Sequence, residues 1–278
     1  MVGERGAGAT MHAQGRVRWT SSQSLFLNTM APPSPPRRRV FLMRHGSVTY
    51  FDAAGKPQLP EGVPLNAAGR AQADAAGHAF RSAGVRFDRV IVSGLPRTVE
   101  TAARVLAVPD AGGDDAAPAP MPEVWPEWQE IRGGRLSAIP AADLKRAFTG
   151  AFDGPVAPGR RFLGGESVGE LMDRVHPGLA RLRADPAWDT ALLVLHGGVN
   201  CAILSWALTG RRLFLGGLAQ APGCINALDV GAGEHDWVVR FVNHSPSDAL
   251  QPGVRDTTME ALHAQYRCGR DAGGTGGD

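Results

Sequence analysis

Two histidines each close a short apolar run. Val40–Met43 (VFLM) ends on Arg44, His45 and Gly46, and Ala191–Leu195 (ALLVL) ends on His196, Gly197 and Gly198. A third run, Val90–Val92, is followed by Ser93 and by Arg97 at the start of a helical pattern. A carboxylate cluster, Glu123, Glu127 and Glu130, lies in and just after the Pro-bearing segment Met121–Trp125. Two arginines converging on one point imply an oxyanion with several oxygens, because a guanidinium is a rigid fork of donors that matches phosphate. Gly46, Gly197 and Gly198 let backbone N–H groups come close, and a helix after His196 would aim its positive end at the anion. A neutral imidazole is a good nucleophile toward phosphorus, and arginines beside His45 would keep it unprotonated at neutral pH. The displaced alkoxide needs a proton, which a carboxylic acid in a pocket can supply. Residue types alone leave open which of the three glutamates does so. Fixed positive charge already neutralises a transferring phosphoryl group, so neither a metal nor a cofactor is expected.

These groups meet only if the elements bearing them end at one edge. Arg39–Met43 reads as a strand. Asn66 reads as the N-cap of a helix to about Ser82. Val90–Val92 is a second strand, and Pro96 opens a helix to about Val108. Residues 109–120 are a loop, and Met121–Trp125 a short strand. Ser167, with Glu170 three residues on, forms a capping box for a helix to about Ala184. Ala191–Leu195 is a strand, followed by a helix from about Val199 to Leu208. Cys224–Val230 and Trp237–Val242 are two further strands, and Thr257–Arg267 is a helix. Alternating strands and helices predict an α/β fold, a three-layer α/β/α sandwich with a mostly parallel central sheet in a single domain. Ligands of such sheets bind beyond the carboxyl ends of the strands, where Arg44, His45, Ser93, Arg97, the glutamates, His196 and Gly197 fall.

The remaining features set the frame. The 278 residues are 43% apolar, enough for one sizeable core, and carry a formal net charge of +2. No Lys/Arg stripe is interleaved with aromatics, so no nucleic-acid partner is expected. No apolar run approaches the roughly 20 residues of a membrane span, so no membrane partner is expected. Cys201, Cys224 and Cys268 are far apart and odd in number, which fits a reducing cytoplasm better than a disulfide framework. Residues 1–38 read as a disordered Pro/Arg-rich extension running into PPSPPRRR, residues 39–250 as the catalytic domain, and residues 251–278 as a C-terminal tail. The expected partner is a small-molecule phosphate ester, and a homodimer is allowed for.

The blocks MRHG (43–46), SGLPRTVETA (93–102), Glu130 with Gly134, GGES (164–167) and VLHGGVN (194–200) resemble the histidine phosphatase, or phosphoglycerate mutase-like, superfamily over about residues 39–245. The resemblance implies a phosphohistidine intermediate on His45 and a phosphate pocket of Arg44, Arg97, His196 and Gly197. It also implies Glu130 as proton donor, because Gly134 lies four residues after it; Glu127 ranks second and Glu123 third. Two departures concern substrate more than chemistry. Ser47 and Phe51 stand where many members carry Glu and a phosphate-holding Asn, leaving Thr49 as a candidate donor. RLS at 135–137 replaces a usual Trp-Glu-Gly. The activity implied is a metal-independent phosphomonoesterase of a small metabolite, with mutase-type transfer as the nearer alternative. A different class of enzyme is suggested by GESVG (165–169), which matches a serine-esterase elbow at Ser167. The oxyanion-like HGG follows that motif rather than preceding it, and no strong strand leads into it.

Overall fold

A computed structural model of the chain describes residues 37–52, 58–108 and 119–273. Nearly all of the expected N-terminal extension and most of the 109–120 loop lie outside the described residues.

The first apolar run lacks alternation because both of its faces are covered. It forms β1 (Arg38–Arg44), whose Val40 and Leu42 enter one core cluster and whose Phe41 and Met43 enter another. The helix α1 (Ala67–Ser82) begins where Asn66 Oδ1 accepts from Gly69 N at 2.9 Å, satisfying one of the free N–H groups of the first turn. Next come β2 (Arg89–Val92) and α2 (Pro96–Ala107), which starts on proline. After β3 (Glu123–Val124) come α3 (Leu144–Thr149), β4 (Pro155–Val156) and α4 (Val168–Ala184). The Ser167–Glu170 capping box is present at the start of α4, with both reciprocal bonds made. The chain continues through β5 (Thr190–Leu195), α5 (Gly197–Thr209), β6 (Phe214–Leu215), β7 (Ile225–Val230), β8 (Trp237–His244) and α6 (Thr258–Gly273).

Six strands form one sheet in the order β3-β2-β5-β1-β7-β8. The pairs β3–β2, β2–β5 and β5–β1 are parallel, while β7 runs antiparallel to β1 and to β8. Apolar positions of α1 and α2 cover one face through Ala76, Phe80, Ala102 and Val105. Apolar positions of α4 and α5, such as Leu171, Val175, Leu179, Val199 and Ile203, cover the other. This is the three-layer sandwich with a mostly parallel sheet. Met259, Leu262 and Tyr266 of α6 pack against the cluster on the α4 and α5 side. No helix among the described residues is long and apolar enough to cross a membrane.

Three details depart from the reading of the sequence. The strand expected over Met121–Trp125 shrinks to Glu123–Val124, because prolines at 120, 122 and 126 cannot donate to a ladder. Helix α5 starts at Gly197 rather than Val199; two glycines hid its first turn. The small β4–β6 sheet and α3 are too short for periodicity to reveal.

Candidate active site

Register brings the two histidines together. In the parallel β1–β5 pair Arg44 lies opposite Leu195, so His45 and His196 each occupy the next position beyond the ladder. His45 N continues the ladder by donating to Leu195 O at 3.0 Å. The two rings stand edge to face with centroids 5.2 Å apart. On the other side of β5, Val92 pairs with Val194, so Ser93 leaves the strand level with Leu195, one residue before His196. Ser93 Oγ lies 2.7 Å from His196 Nε2. Arg97, in the first turn of α2, and Arg44, at the end of β1, complete the group. All four side chains are buried, with His196 and Arg97 at 0% and 1% exposure.

A hydrogen bond fixes the tautomer of His45. His45 Nδ1 lies 2.7 Å from the carbonyl of Gly46, which can only accept, so the ring proton sits on Nδ1 and the lone pair on Nε2. The Gly46 turn is held in place by Gly46 N donating to Thr101 Oγ1 at 3.1 Å. A Cβ at position 46 would lie 2.3 Å from Gly69 O of α1, so the turn requires glycine. Ser93 Oγ occupies His196 Nε2, which leaves Nδ1 as the free nitrogen of the second ring. That Nδ1 is buried and meets no partner among the described residues. Arg44 Nε and Arg97 Nε are likewise buried and unpartnered. Arg44 Nη1 donates to Gln220 O at 2.5 Å and to Thr258 Oγ1 at 2.9 Å, and Arg97 Nη1 to Pro60 O at 2.5 Å. Neither guanidinium forms an ion pair with a carboxylate among the described residues. Buried cations without an ion-pair partner are costly, and two orphaned guanidinium N–H groups with a free imidazole nitrogen beside them form a site that a phosphate would satisfy.

Burial first, and then the guanidiniums of Arg44 and Arg97, hold the His45 imidazole well below the ordinary histidine range. His196 is lowered by burial, then by His45, Arg97, Arg44 and Arg174. Both rings are therefore neutral at physiological pH, the state a nucleophilic imidazole requires.

The three candidate carboxylates separate. Glu123 is engaged by Arg89, and Glu127 by Arg181 at 2.7 Å. Only Glu130 turns toward the histidines: its Oε1 accepts from Gly198 N at 3.1 Å and from Ile131 N at 2.9 Å. Oε2 is the less engaged oxygen, 3.3 Å from Gly198 N. A Cβ on Gly198 would stand 2.7 Å from Oε1, so the carboxyl can rest on the N-terminus of α5 only because that residue is glycine. The position a Cβ of Gly197 would take lies 3.7 Å from Arg44 Nε and 3.8 Å from Glu130 Oε2, which places Gly197 between the two side chains.

Other candidates lie elsewhere. Thr49 Oγ1 accepts from Asn66 Nδ2 at 3.3 Å, and Phe51 stacks near Tyr266 of α6. Ser167 is an N-cap whose hydroxyl accepts from Glu170 N, with no histidine among its hydrogen-bond partners. Reading from the sequence missed Thr258, Gln220 and Arg174. Thr258 belongs to a segment taken for a tail, and Arg174 is one arginine among several on an amphipathic helix. Thr98 and Thr101 were within reach, since both lie in the SGLPRTVETA block.

A profile of the Histidine phosphatase superfamily (branch 1) matches residues 40–244. A protein of Salmonella paratyphi A named "Probable phosphoglycerate mutase GpmB" is 32% identical over 169 residues, covering 59% of this chain and 73% of that relative. Among solved structures, "Mycobacterial hydrolase 1" superposes with a TM-score of 0.58 at 21% identity, covering 75% of this chain and 99% of that one. The native mycobacterial glucosyl-3-phosphoglycerate phosphatase superposes with a TM-score of 0.57 at 22% identity, covering 74% and 99%. The alpha-ribazole phosphatase from Shigella flexneri does so with a TM-score of 0.54 at 23% identity, covering 74% and 96%.

Proposed function

Because the chain belongs to the histidine phosphatase superfamily, we propose that it is a metal-independent phosphomonoesterase of a small phosphorylated metabolite, acting through a phosphohistidine on His45. The observation that carries this reading is the trio of buried nitrogens without partners, Arg44 Nε, Arg97 Nε and His196 Nδ1, beside a neutral imidazole whose lone pair is on Nε2.

In the first half-reaction His45 Nε2 forms a bond to phosphorus as the ester P–O bond breaks. Glu130 gives its proton to the leaving oxygen, releasing the alcohol. Arg44, Arg97, His196 and the backbone at Gly197 hold the equatorial oxygens, whose charge they offset without reorganising. In the second half-reaction water forms the new O–P bond as the N–P bond breaks. The Glu130 carboxylate takes the water's proton, and inorganic phosphate and the neutral imidazole are restored. The working compartment that fits such chemistry and free thiols is the cytoplasm.

The relatives' name favours a second reading, transfer of the phosphoryl group between positions of one sugar acid. A mutase must grip a second anionic group, and residues 132–165 carry six cations against two acids. Hydrolysis is preferred because the sequence after Arg97 has no basic insertion: residues 109–120 are acidic and rich in Ala and Pro. A panel of phosphate esters, assayed for phosphate release and for mutase turnover in parallel, decides between the two. Orthovanadate, a five-coordinate mimic of the transferring group, is expected to inhibit either reaction; indifference to it would overturn both readings.

A further inference from the structure

The loop that carries Glu130 has no regular ladder to hold it. Its carbonyls converge instead on one side chain from the facing helix α4. Arg174 Nη1 donates to Glu127 O at 2.8 Å and to Gln129 O at 2.6 Å, and Nη2 donates to Glu130 O at 3.0 Å. The remaining N–H groups go to Glu166, from Nε to Oε1 at 2.7 Å and from Nη2 to Oε2 at 2.9 Å. Five donors thus make five bonds, the full capacity of a guanidinium. Glu166 also accepts from Arg132 N at 2.9 Å, so the pair grips the backbone on both sides of Glu130. The two side chains are 15% and 6% exposed, which removes water as a competitor and makes each bond stiff. Arg174 and then the Arg132 N–H, acting against the cost of burial, keep the Glu166 carboxyl below the usual glutamate range, so the clamp stays charged. On its far side the Glu130 carboxyl rests on Gly198 N.

We propose that Arg174, held by Glu166, is a positioning residue that sets where the proton-donating carboxyl of Glu130 lies relative to the leaving oxygen. The inference rests on the reading of Glu130 as proton donor. Neither member of the clamp hydrogen-bonds Arg44, His45, Arg97 or His196. Substitutions that keep the charge of Arg174, which acts on His196, therefore affect proton delivery and leave phosphate binding and the attack of His45 in place. Arg174→Lys keeps a positive charge but cannot span three carbonyls. Glu166→Gln keeps the shape, still accepts from Arg132 N, and loses the charge that orients the guanidinium. Trp128, fully buried with Nε1 donating to Val175 O, docks the same loop on α4 independently of the clamp.

The test uses two aryl esters of similar shape. Phenyl phosphate has a basic leaving group that needs a proton; 2,4-dinitrophenyl phosphate has one that does not. Both clamp variants are expected to lose about 10-fold or more in kcat/KM on phenyl phosphate, to stay within about 3-fold in kcat/KM on the dinitrophenyl ester, since kcat/KM excludes the water step the two esters share, and to bind orthovanadate as the parent does. Parallel losses on the two esters, or no loss on either, would overturn the proposal, since a merely structural role would not sort esters by leaving group. Glu130→Gln is run alongside. If it fails to discriminate between the esters, the reading of Glu130 falls and the clamp's role with it. If it discriminates and the clamp variants do not, only the clamp is refuted. Glu166→Gln carries the test should Arg174→Lys fail to fold.

Discussion

Stability of this protein should fall steeply as pH drops through the histidine range, and the main source is the pair His45 and His196, with His176 and His263 lowered in the same direction by burial. The His45 and His196 rings are buried, at 2% and 0% exposure, and both are held well below the ordinary value of 6.5 by burial and by the neighbouring guanidiniums. The unfolded chain binds protons at these imidazoles below pH 6.5, whereas the folded chain does not. Falling pH therefore favours the unfolded state, and the contribution is fully present only above that range. Integrating the linkage from an unfolded value of about 6.5, each ring removes about 1.4 kcal/mol at pH 5.5 while its folded ionisation stays below that pH. The two together remove roughly 3 kcal/mol, a large fraction of a typical domain's stability. Carboxylates held low, such as Glu166 and Asp229, start from 4.5 and 3.8, so they enter only at lower pH. Urea unfolding at pH 7.0 and 5.5 measures the loss directly. His45→Asn and His196→Asn should each shrink the difference between the two pH values by about 1.2 kcal/mol, since about 0.2 kcal/mol is already lost at pH 7.0. A variant whose pH dependence matches that of the parent would refute the assignment, because its imidazole would then have been titrating normally.

Other expectations bear on single contacts. Gly198→Ala puts a methyl 2.7 Å from Glu130 Oε1 and should cut turnover of phenyl phosphate about 100-fold, although Gly→Ala inside a helix ordinarily stabilises; steady-state kinetics with a thermal melt checks both. Ser167→Ala should cost about 1 kcal/mol through loss of the cap and leave hydrolysis intact; loss of all activity in a folded variant would revive the serine-esterase reading. EDTA should leave the rate unchanged, because the guanidiniums supply the positive charge; a loss restored by a divalent cation would reveal a missed metal.

Much of the architecture was legible because each strand and helix carried its own local signal. Val40–Met43 and Ala191–Leu195 are unbroken apolar runs, as strands covered on both faces must be. Asn66 and Ser167 mark helix starts because a side-chain oxygen there satisfies a free N–H. The juxtaposition of His45 with His196 could be anticipated only on the assumption that their strands were parallel neighbours. What stayed hidden depends on tertiary contact. Glu123, Glu127 and Glu130 are chemically alike, and the three-dimensional partners Arg89, Arg181 and Gly198 N separate them. Arg174 has no sequence signature, since its ligands are carbonyls, which every residue possesses. Thr258 meets Arg44 across 214 positions of chain, a contact no local pattern records.

The central claim is that His45 carries the phosphoryl group. Rapid alkaline quenching of the enzyme during turnover of 2,4-dinitrophenyl phosphate, followed by peptide mass spectrometry under conditions that preserve phosphoramidates, reads it most directly. A phosphorylated peptide with the modification on His45 is expected, absent from His45→Ala, which also shows no turnover. Phosphate on any other residue, or an active His45→Ala enzyme, would contradict it.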